Sequence, residues 1–174
     1  SGELLNSRGK TFFDMAMSGK YKAQAPELMS NALKDYSNAL NGARMKDKTK
    51  AEVLINRGAA EGANNQFQQA ITDLTEGLKI DPTNKNGYFN RSIAYYTTQQ
   101  YDKALEDYDA YLKLDPFNAN VWYECGMIQR SMQRNDQAIQ SLGKAIQLNP
   151  RIGVAYLERA RAYAQSGKLA EAKM

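Results

Sequence analysis

Three prolines recur at one fixed interval, and this interval limits what the chain can fold into. Pro82, Pro116 and Pro150 lie 34 residues apart. Three further sets of positions keep the same step of 34 residues. A small-residue column contains Gly58, Ser92, Gly126 and Ala160, and an alanine column contains Ala70, Ala104, Ala138 and Ala172. A column of large apolar residues contains Leu54, Tyr88, Trp122 and Tyr156. A period of this length indicates similar units that stack on one another.

Each unit predicts two helices, because apolar residues recur at helical spacing in two blocks. Asp115-Pro116 predicts a helix end, since proline excludes the preceding residue from the α region, and Asn118 is expected to cap the next helix. Asp81-Pro82-Thr83-Asn84 repeats this arrangement. The small column predicts close approach to the alanine column and hence antiparallel hairpins. Stacked hairpins predict an all-α fold, a right-handed α-solenoid.

The unit Trp122-x2-Cys125-Gly126-x2-Gln129…Ala138-x3-Leu142…Pro150 resembles the signature of the tetratricopeptide repeat family. This resemblance implies a single domain over 1–174. It contains an irregular N-terminal helical hairpin (1–50), three full repeats (51–84, 85–118 and 119–152) and a partial fourth repeat (153–174). In the first hairpin we expect helices at about 3–18 and 26–42, with about eight residues more than a regular unit.

Five positions depart from the family pattern. Glu61 and Gln129 stand where the family usually has an aromatic residue, and Arg57, Arg91 and Arg159 stand where it often has leucine. Arginine can lay its aliphatic stem along apolar surface while its charged head stays hydrated. We therefore expect these three arginines to have structural roles, with their guanidinium groups in water.

The composition excludes several classes of function. The chain has no histidine, which removes serine–histidine and cysteine–histidine nucleophile pairs, and its one cysteine, Cys125, is expected to be a buried, inert thiol. No metal or cofactor motif is present, so no cofactor is predicted and the chain is not expected to be an enzyme. No stretch approaches the roughly 20 apolar residues of a membrane span, so the chain is not expected to be integral to a membrane.

Charge argues against a nucleic-acid partner. The net charge is +4, but the middle of the chain is acidic and only its ends are basic, which interrupts the continuous basic stripe that phosphate binding requires. No specific nucleic acid is therefore predicted. The one basic cluster, Arg44 to Lys50, is interpreted as a solvated connection between helices.

In the family, the first helices of successive hairpins line a concave groove that holds a peptide or a helix of a partner protein. The resemblance implies that this groove has an apolar and aromatic lining with asparagines at its rim. The residues carried over are Ile55, Asn86, Phe89, Asn90, Ile93, Tyr96, Tyr123, Met127, Arg130 and Arg161. The alternative is that some of them pack against neighbouring first helices. The Lys, Asn and Arg clamp that grips chaperone C-termini is missing, which disfavours a co-chaperone.

The predicted function is a non-catalytic protein–protein interaction module with a protein or peptide partner. The alternatives are a scaffold or regulatory segment of a larger enzyme or sensor, and a solenoid that self-associates through an uncapped C-terminal edge. Ser1-Gly2 is typical of a cloning scar and the sequence stops within an expected helix, so we expect a segment of a longer protein. Either a cytoplasmic or a periplasmic location fits this sequence.

Overall fold

The chain forms two compact units, one from Ser1 to Gln99 and one that begins at Gln100. The computed structural model describes residues 1–42 and 45–168, which form helices joined by short connections and contain no strand. Unit 1 contains α1 (Gly2–Met17), α2 (Ala25–Asn41), α3 (Asp47–Ala63), α4 (Phe67–Ile80) and α5 (Lys85–Thr97). Unit 2 contains α6 (Tyr101–Leu114), α7 (Ala119–Ser131), α8 (Asn135–Leu148) and α9 (Gly153–Gln165).

The N-terminal hairpin forms where the sequence predicts it. Helices α1 and α2 each begin and end one residue before their expected bounds. Helix α3 begins at Asp47, so the predicted boundary after residue 50 lies in its first turn. Lys48 and Lys50 therefore belong to a helix and not to a connection between helices. The predicted C-terminal edge falls on residues 169–174, outside the described residues, as does Arg44.

The small-residue column allows paired helices to approach closely, as predicted. A Cβ atom placed on Gly58 would lie 2.6 Å from Leu74 Cγ and 3.2 Å from the backbone oxygen of Ala70. One on Gly126 would lie 2.5 Å from Leu142 Cγ. Real Cβ atoms do not come this close, so only glycine permits the observed α3–α4 and α7–α8 packing. The leucines at these contacts are fully buried in the core of each unit.

The predicted asparagine caps are present. The Asn84 side chain accepts a hydrogen bond from the backbone N–H of Gly87 at 3.1 Å and begins α5. Asn118 accepts from Asn120 and Val121 at 3.1 and 3.2 Å and begins α7. Each cap satisfies backbone donors that the helix itself leaves unpaired. The two helices that carry most of the predicted partner-binding residues therefore have fixed starting points.

The turn after α7 holds a glutamine in the left-handed region. Gln133 has φ 59°, and its neighbour Arg134 donates its backbone N–H to Gln129 at 2.8 Å, closing the helix end. We expect Gln133→Gly to raise the free energy of unfolding by about 0.5–1 kcal/mol, because glycine adopts this backbone without steric cost. Urea unfolding measures the change. Asn65→Gly is the control, since asparagine tolerates its φ of 62° and the gain there should be smaller.

An arginine on the first helix of a hairpin forks onto an aspartate of the second. Arg57 binds Asp73 through Nε and, at 2.9 Å, through Nη2. Its side chain is only 23% exposed, so the expectation of a hydrated head is wrong, because the head pairs with a buried carboxylate. Arg91 likewise donates to Thr75 at 3.0 Å. In the α7–α8 hairpin Cys125 and Ser141 stand at the positions of Arg57 and Asp73, and Ser141 Oγ donates to Gln129 at 2.7 Å.

Glu61 lies beside this fork, and its environment makes the stability of unit 1 depend on pH. Burial raises the pKa of Glu61 to about 7, with a further contribution from Asp73 that Arg57 opposes. Its Oε2 is buried without a hydrogen-bond partner among the described residues. A carboxyl whose pKa rises on folding costs nothing while it is protonated in both states. Stability is therefore lost as pH rises from about 4.5 through 7.

We expect Glu61→Gln to stabilise the protein by about 2 kcal/mol at pH 8 and to have little effect near pH 4.5, because glutamine removes the buried charge. Denaturant unfolding across this pH range tests the prediction. Glu76→Gln, which changes an exposed residue of the same hairpin, is the control and should show no such pH dependence. An equal gain at both pH values would contradict the assignment to ionisation.

Candidate functional site

The first helices of unit 1 lie side by side, with α1 against α3 and α3 against α5. Two adjoining cavities open between them, and we call the residues of α1, α3 and α5 that line these cavities the first-helix face. The polar cavity has a volume of about 370 Å³. It is lined by Lys10, Phe13 and Asp14 of α1, by Glu52, Ile55, Asn56 and Ala59 of α3, by Asn86, Phe89 and Asn90 of α5, and by Tyr36 and Asn84.

Hydrogen bonds hold one wall of the polar cavity in place. Asn6 is buried between α1 and α3, where its Nδ2 donates to Glu52 Oε1 at 3.2 Å. Its Oδ1 accepts from Asn56 Nδ2 at 3.0 Å. Asn6 therefore fixes two side chains of α3 that line the cavity. A wall fixed in this way binds a ligand with little loss of side-chain entropy.

Tyr36 of α2 lies at the floor of this cavity. It takes the place that Leu74 and Leu142 hold in the α3–α4 and α7–α8 hairpins, since a Cβ on Gly9 would lie 2.9 Å from its ring. The side chain is 0% exposed, and its hydroxyl has no hydrogen-bond partner among the described residues. Burial raises the pKa of Tyr36, and the carboxylates of Asp14, Asp35 and Glu52 raise it further. The hydroxyl is therefore neutral at physiological pH.

Asp35, the residue before Tyr36, is paired within the hairpin. Arg8 Nε and Nη2 donate to its two carboxylate oxygens at 2.6 and 2.7 Å. The same interaction raises the pKa of Arg8. The acidic groups that remain at the cavity are Asp14 and Glu52, both exposed residues.

The apolar cavity adjoins the polar one and shares Phe13, Ala59 and Asn90 with it. Its volume is about 300 Å³. The residues that α3 contributes to this cavity are all small, so their side chains leave the space unfilled. The remaining lining consists of Met17, Gly58, Gly62, Ala63, Phe67, Ile93 and Ala94.

The structure brings together most of the predicted site residues of unit 1. Asn86, Phe89 and Asn90 line the polar cavity, and Asn90 and Ile93 line the apolar one. Ile93 is 40% exposed, and Tyr96, one turn further along α5, is 46% exposed. Ile55, the sixth predicted site residue of unit 1, also borders the polar cavity. It is only 4% exposed, so most of its side chain belongs to the core beneath the cavity.

The predicted site residues of unit 2 lie on α7 and α9. Tyr123 packs against the core cluster of this unit, and Met127 is half-buried. Arg130 Nε lies 2.7 Å from Glu158 Oε2, and Arg161 Nη1 lies 2.6 Å from Oε1 of the same carboxylate. Glu158 is only 6% exposed. The two arginines therefore neutralise a buried acid within the protein, a role that sequence reasoning did not assign to them.

The residues of the polar cavity that sequence reasoning did not assign to a binding site include Lys10, Phe13, Asp14, Tyr36, Glu52, Asn56 and Asn84. Three of them lie on α1, whose register against the regular repeats was undefined because of the extra residues in this hairpin. The sequence does contain a signal for the register of α1 against the regular repeats. Arg8-Gly9 and Asp35-Tyr36 repeat Arg57-Gly58 and Asp73-Leu74, the positions of the fork and of the close contact.

Cys125, the one cysteine of the chain, is buried in unit 2. Burial raises the pKa of Cys125 to about 12, with smaller contributions from Asp109 and Glu124, which fits the expected inert thiol. In residues 1–42 and 45–168, histidine, cysteine and acidic side chains form no group that could hold a metal ion. Across the same ranges, no helix has both the length and the hydropathy that crossing a bilayer would demand.

Comparison with known proteins identifies the repeats. Models described as tetratricopeptide repeat match residues 51–84, 86–118 and 119–152, together more than half of the chain. No curated protein matches the sequence.

Among solved structures, the chain is similar to MamA. One crystal structure of MamA has a TM-score of 0.77 at 23% identity, covering 87% of this chain and 86% of that chain. The structure titled MamA AMB-1 has a TM-score of 0.75 at 24% identity, covering 95% and 86%. The MamA RS-1 double mutant has a TM-score of 0.77 at 19% identity, covering 95% and 89%. At these identities the likeness concerns the fold, and it confirms the predicted all-α solenoid class.

Proposed function

The chain belongs to the tetratricopeptide repeat family, whose members bind protein partners, and we propose that its first-helix face binds a peptide or a helix of a partner protein. The observation that carries the proposal is the pair of adjoining cavities between α1, α3 and α5. Partner sites typically combine aromatic and apolar anchors with a polar rim. Phe89 and Ile93 are the anchors here, and Asn86 and Asn90 supply polar groups beside them.

Exposed apolar side chains on α5 support this choice. Ile93 and Tyr96 leave large apolar area in contact with water next to the cavities, where burial by a partner would be favourable. In unit 2 the proposal includes Tyr123, Met127, Arg130 and Arg161 as the first-helix residues of α7 and α9. The proposed module is non-catalytic, and its activity is the binding itself.

Photo-crosslinking at the exposed positions tests the proposal. Benzoylphenylalanine replaces Ile93 or Tyr96, the protein is irradiated in native cell lysate, and crosslinked partners are identified by mass spectrometry. The control carries the same group at Lys79, an exposed position of α4 that lines neither cavity. We expect a partner that crosslinks from α5 and not from α4, and that binds the purified chain. Equal capture from both helices would contradict the assignment of the face.

A further inference from the structure

The charges of the polar cavity favour a cationic occupant. Asp14 and Glu52 contribute two carboxylates, whereas Lys10 is the single basic residue among the described lining residues. Asn56, Asn86 and Asn90 add amide oxygens that accept hydrogen bonds. A group that carries positive charge and several donors therefore matches this lining better than an anion does.

The Tyr36 hydroxyl is a second, independent observation that points to a ligand at this cavity. Tyr36 lines the cavity and is 0% exposed, and its hydroxyl has no hydrogen-bond partner among the described residues. Buried hydroxyls are normally paired, and one left unpaired destabilises the free protein. Leucine fills the equivalent place in two other hairpins without this cost. Because burial and, to a smaller extent, the nearby carboxylates raise the pKa of Tyr36, the neutral hydroxyl keeps both its proton and its acceptor lone pairs.

The aromatic residues of the polar cavity favour a guanidinium over an ammonium group as the cation. Phe13 and Phe89 line the same cavity, and a planar guanidinium stacks on aromatic faces more readily than an ammonium group does. The guanidinium also presents five N–H donors, which suits a site with several scattered acceptors. Phe13 also borders the apolar cavity, so an apolar side chain next to the cation would enter that second space.

We propose that the two cavities together bind a partner segment in which an arginine lies beside a large apolar side chain. The guanidinium occupies the polar cavity, where Glu52 and Asp14 balance its charge and the Tyr36 hydroxyl accepts one of its N–H groups. The apolar side chain occupies the space between Phe13 and Ile93. This inference rests on the proposed function and specifies the chemistry of the partner.

Selection from a phage-displayed library of random short peptides tests the inference. The whole chain is immobilised, and enriched peptides are synthesised with arginine, citrulline or glutamate at the selected basic position. We expect enrichment of arginine next to a large apolar residue. Citrulline, which keeps the shape without the charge, should weaken binding about tenfold, the size of one lost charge-assisted hydrogen bond. Enriched peptides without a basic residue, or equal binding of arginine and citrulline peptides, would overturn the inference.

Two substitutions test whether the selected peptide binds in the polar cavity. Glu52→Lys should weaken the arginine peptide at least tenfold and strengthen the glutamate peptide, whereas the exposed control Glu76→Lys should do neither. Tyr36→Phe should weaken the arginine peptide while raising the melting temperature, because it removes an unpaired hydroxyl and keeps the ring. A Tyr36→Phe protein with a higher melting temperature and unchanged affinity would show only a packing defect and would overturn the assignment.

Failure of this inference and failure of the proposed function give different results. Peptides that lack a basic residue but compete with one another and crosslink at Ile93 would leave the first-helix face as the binding site and reject only the arginine. A library that yields no peptide dependent on this face would reject both.

Discussion

Replacing Arg57 by methionine is expected to lower the free energy of unfolding by about 3 kcal/mol, because it leaves buried acids without their counter-charge. Asp73 is only 6% exposed and receives two hydrogen bonds from Arg57. Glu61 lies next to the same guanidinium, with 3.8 Å between its Oε1 and Arg57 Nε. Methionine preserves the apolar stem, so the loss reports the charge and not the packing. Urea unfolding at neutral pH measures it.

A second substitution separates the ion pair from other effects. Asp73→Leu combined with Arg57→Met removes both partners and should recover part of the loss, since apolar pairs can replace buried ion pairs with little cost. The loss of unfolding free energy caused by Arg57→Met alone should also be smaller at low pH, where the carboxyls of Asp73 and Glu61 are protonated. If the single variant were as stable as the parent protein, the fork would have no role in holding α3 against α4.

Replacing Phe89 and Tyr123 by alanine together is expected to weaken partner binding by about 1–4 kcal/mol, the range for aromatic anchors of interfaces. The structure assigns the two residues different surroundings. Phe89 borders the polar cavity, whereas Tyr123 packs against the core of unit 2. We therefore expect Phe89→Ala alone to account for most of the loss. Calorimetric titration with the crosslinked partner measures it.

Phe117→Ala is the matched control, because this phenylalanine is 77% exposed and precedes α7 without lining either cavity. It removes the same chemical group from a different surface and should leave the affinity unchanged. Circular dichroism must show that each variant remains folded, above all Tyr123→Ala. Full affinity in a folded double variant would remove these aromatics from the binding surface.

The regular repeats could be predicted because their signals are local. Prolines and capping asparagines act within one or two helical turns, and the small-residue column acts between the two neighbouring helices of one hairpin. The structure has the corresponding helix ends and close contacts. The α5 part of the site followed from the same register, which is why Asn86, Phe89, Asn90 and Ile93 border the cavities.

The remaining features of the candidate site could not be predicted, because most of them depend on contacts between residues distant in sequence. The Arg8–Asp35 pair spans 27 positions of a lengthened hairpin, and without that register α1 could not be aligned with α3. Tyr36 fits the apolar pattern of its helix, and nothing local shows that its hydroxyl lacks a partner. Arg130 has the pattern of a surface residue in the sequence, and only the packing of α7 against α9 places it beside Glu158. Arg161 lies three residues after Glu158 on α9, but nothing local shows that the carboxylate between the two arginines is buried.

A chain of near-identical helices must also avoid pairing the wrong ones while it folds, a recurrent failure of repeat proteins. The polar contact inside the hairpin differs between two of them: Arg57 pairs with Asp73 in α3–α4, whereas Ser141 pairs with Gln129 in α7–α8. If α3 paired with α8, Arg57 would meet a serine, and Asp73 would lose its cation. This mismatch discourages exchange of helices between the α3–α4 and α7–α8 hairpins, whereas α1–α2 and α3–α4 share the same arginine–aspartate pair and are not distinguished in this way.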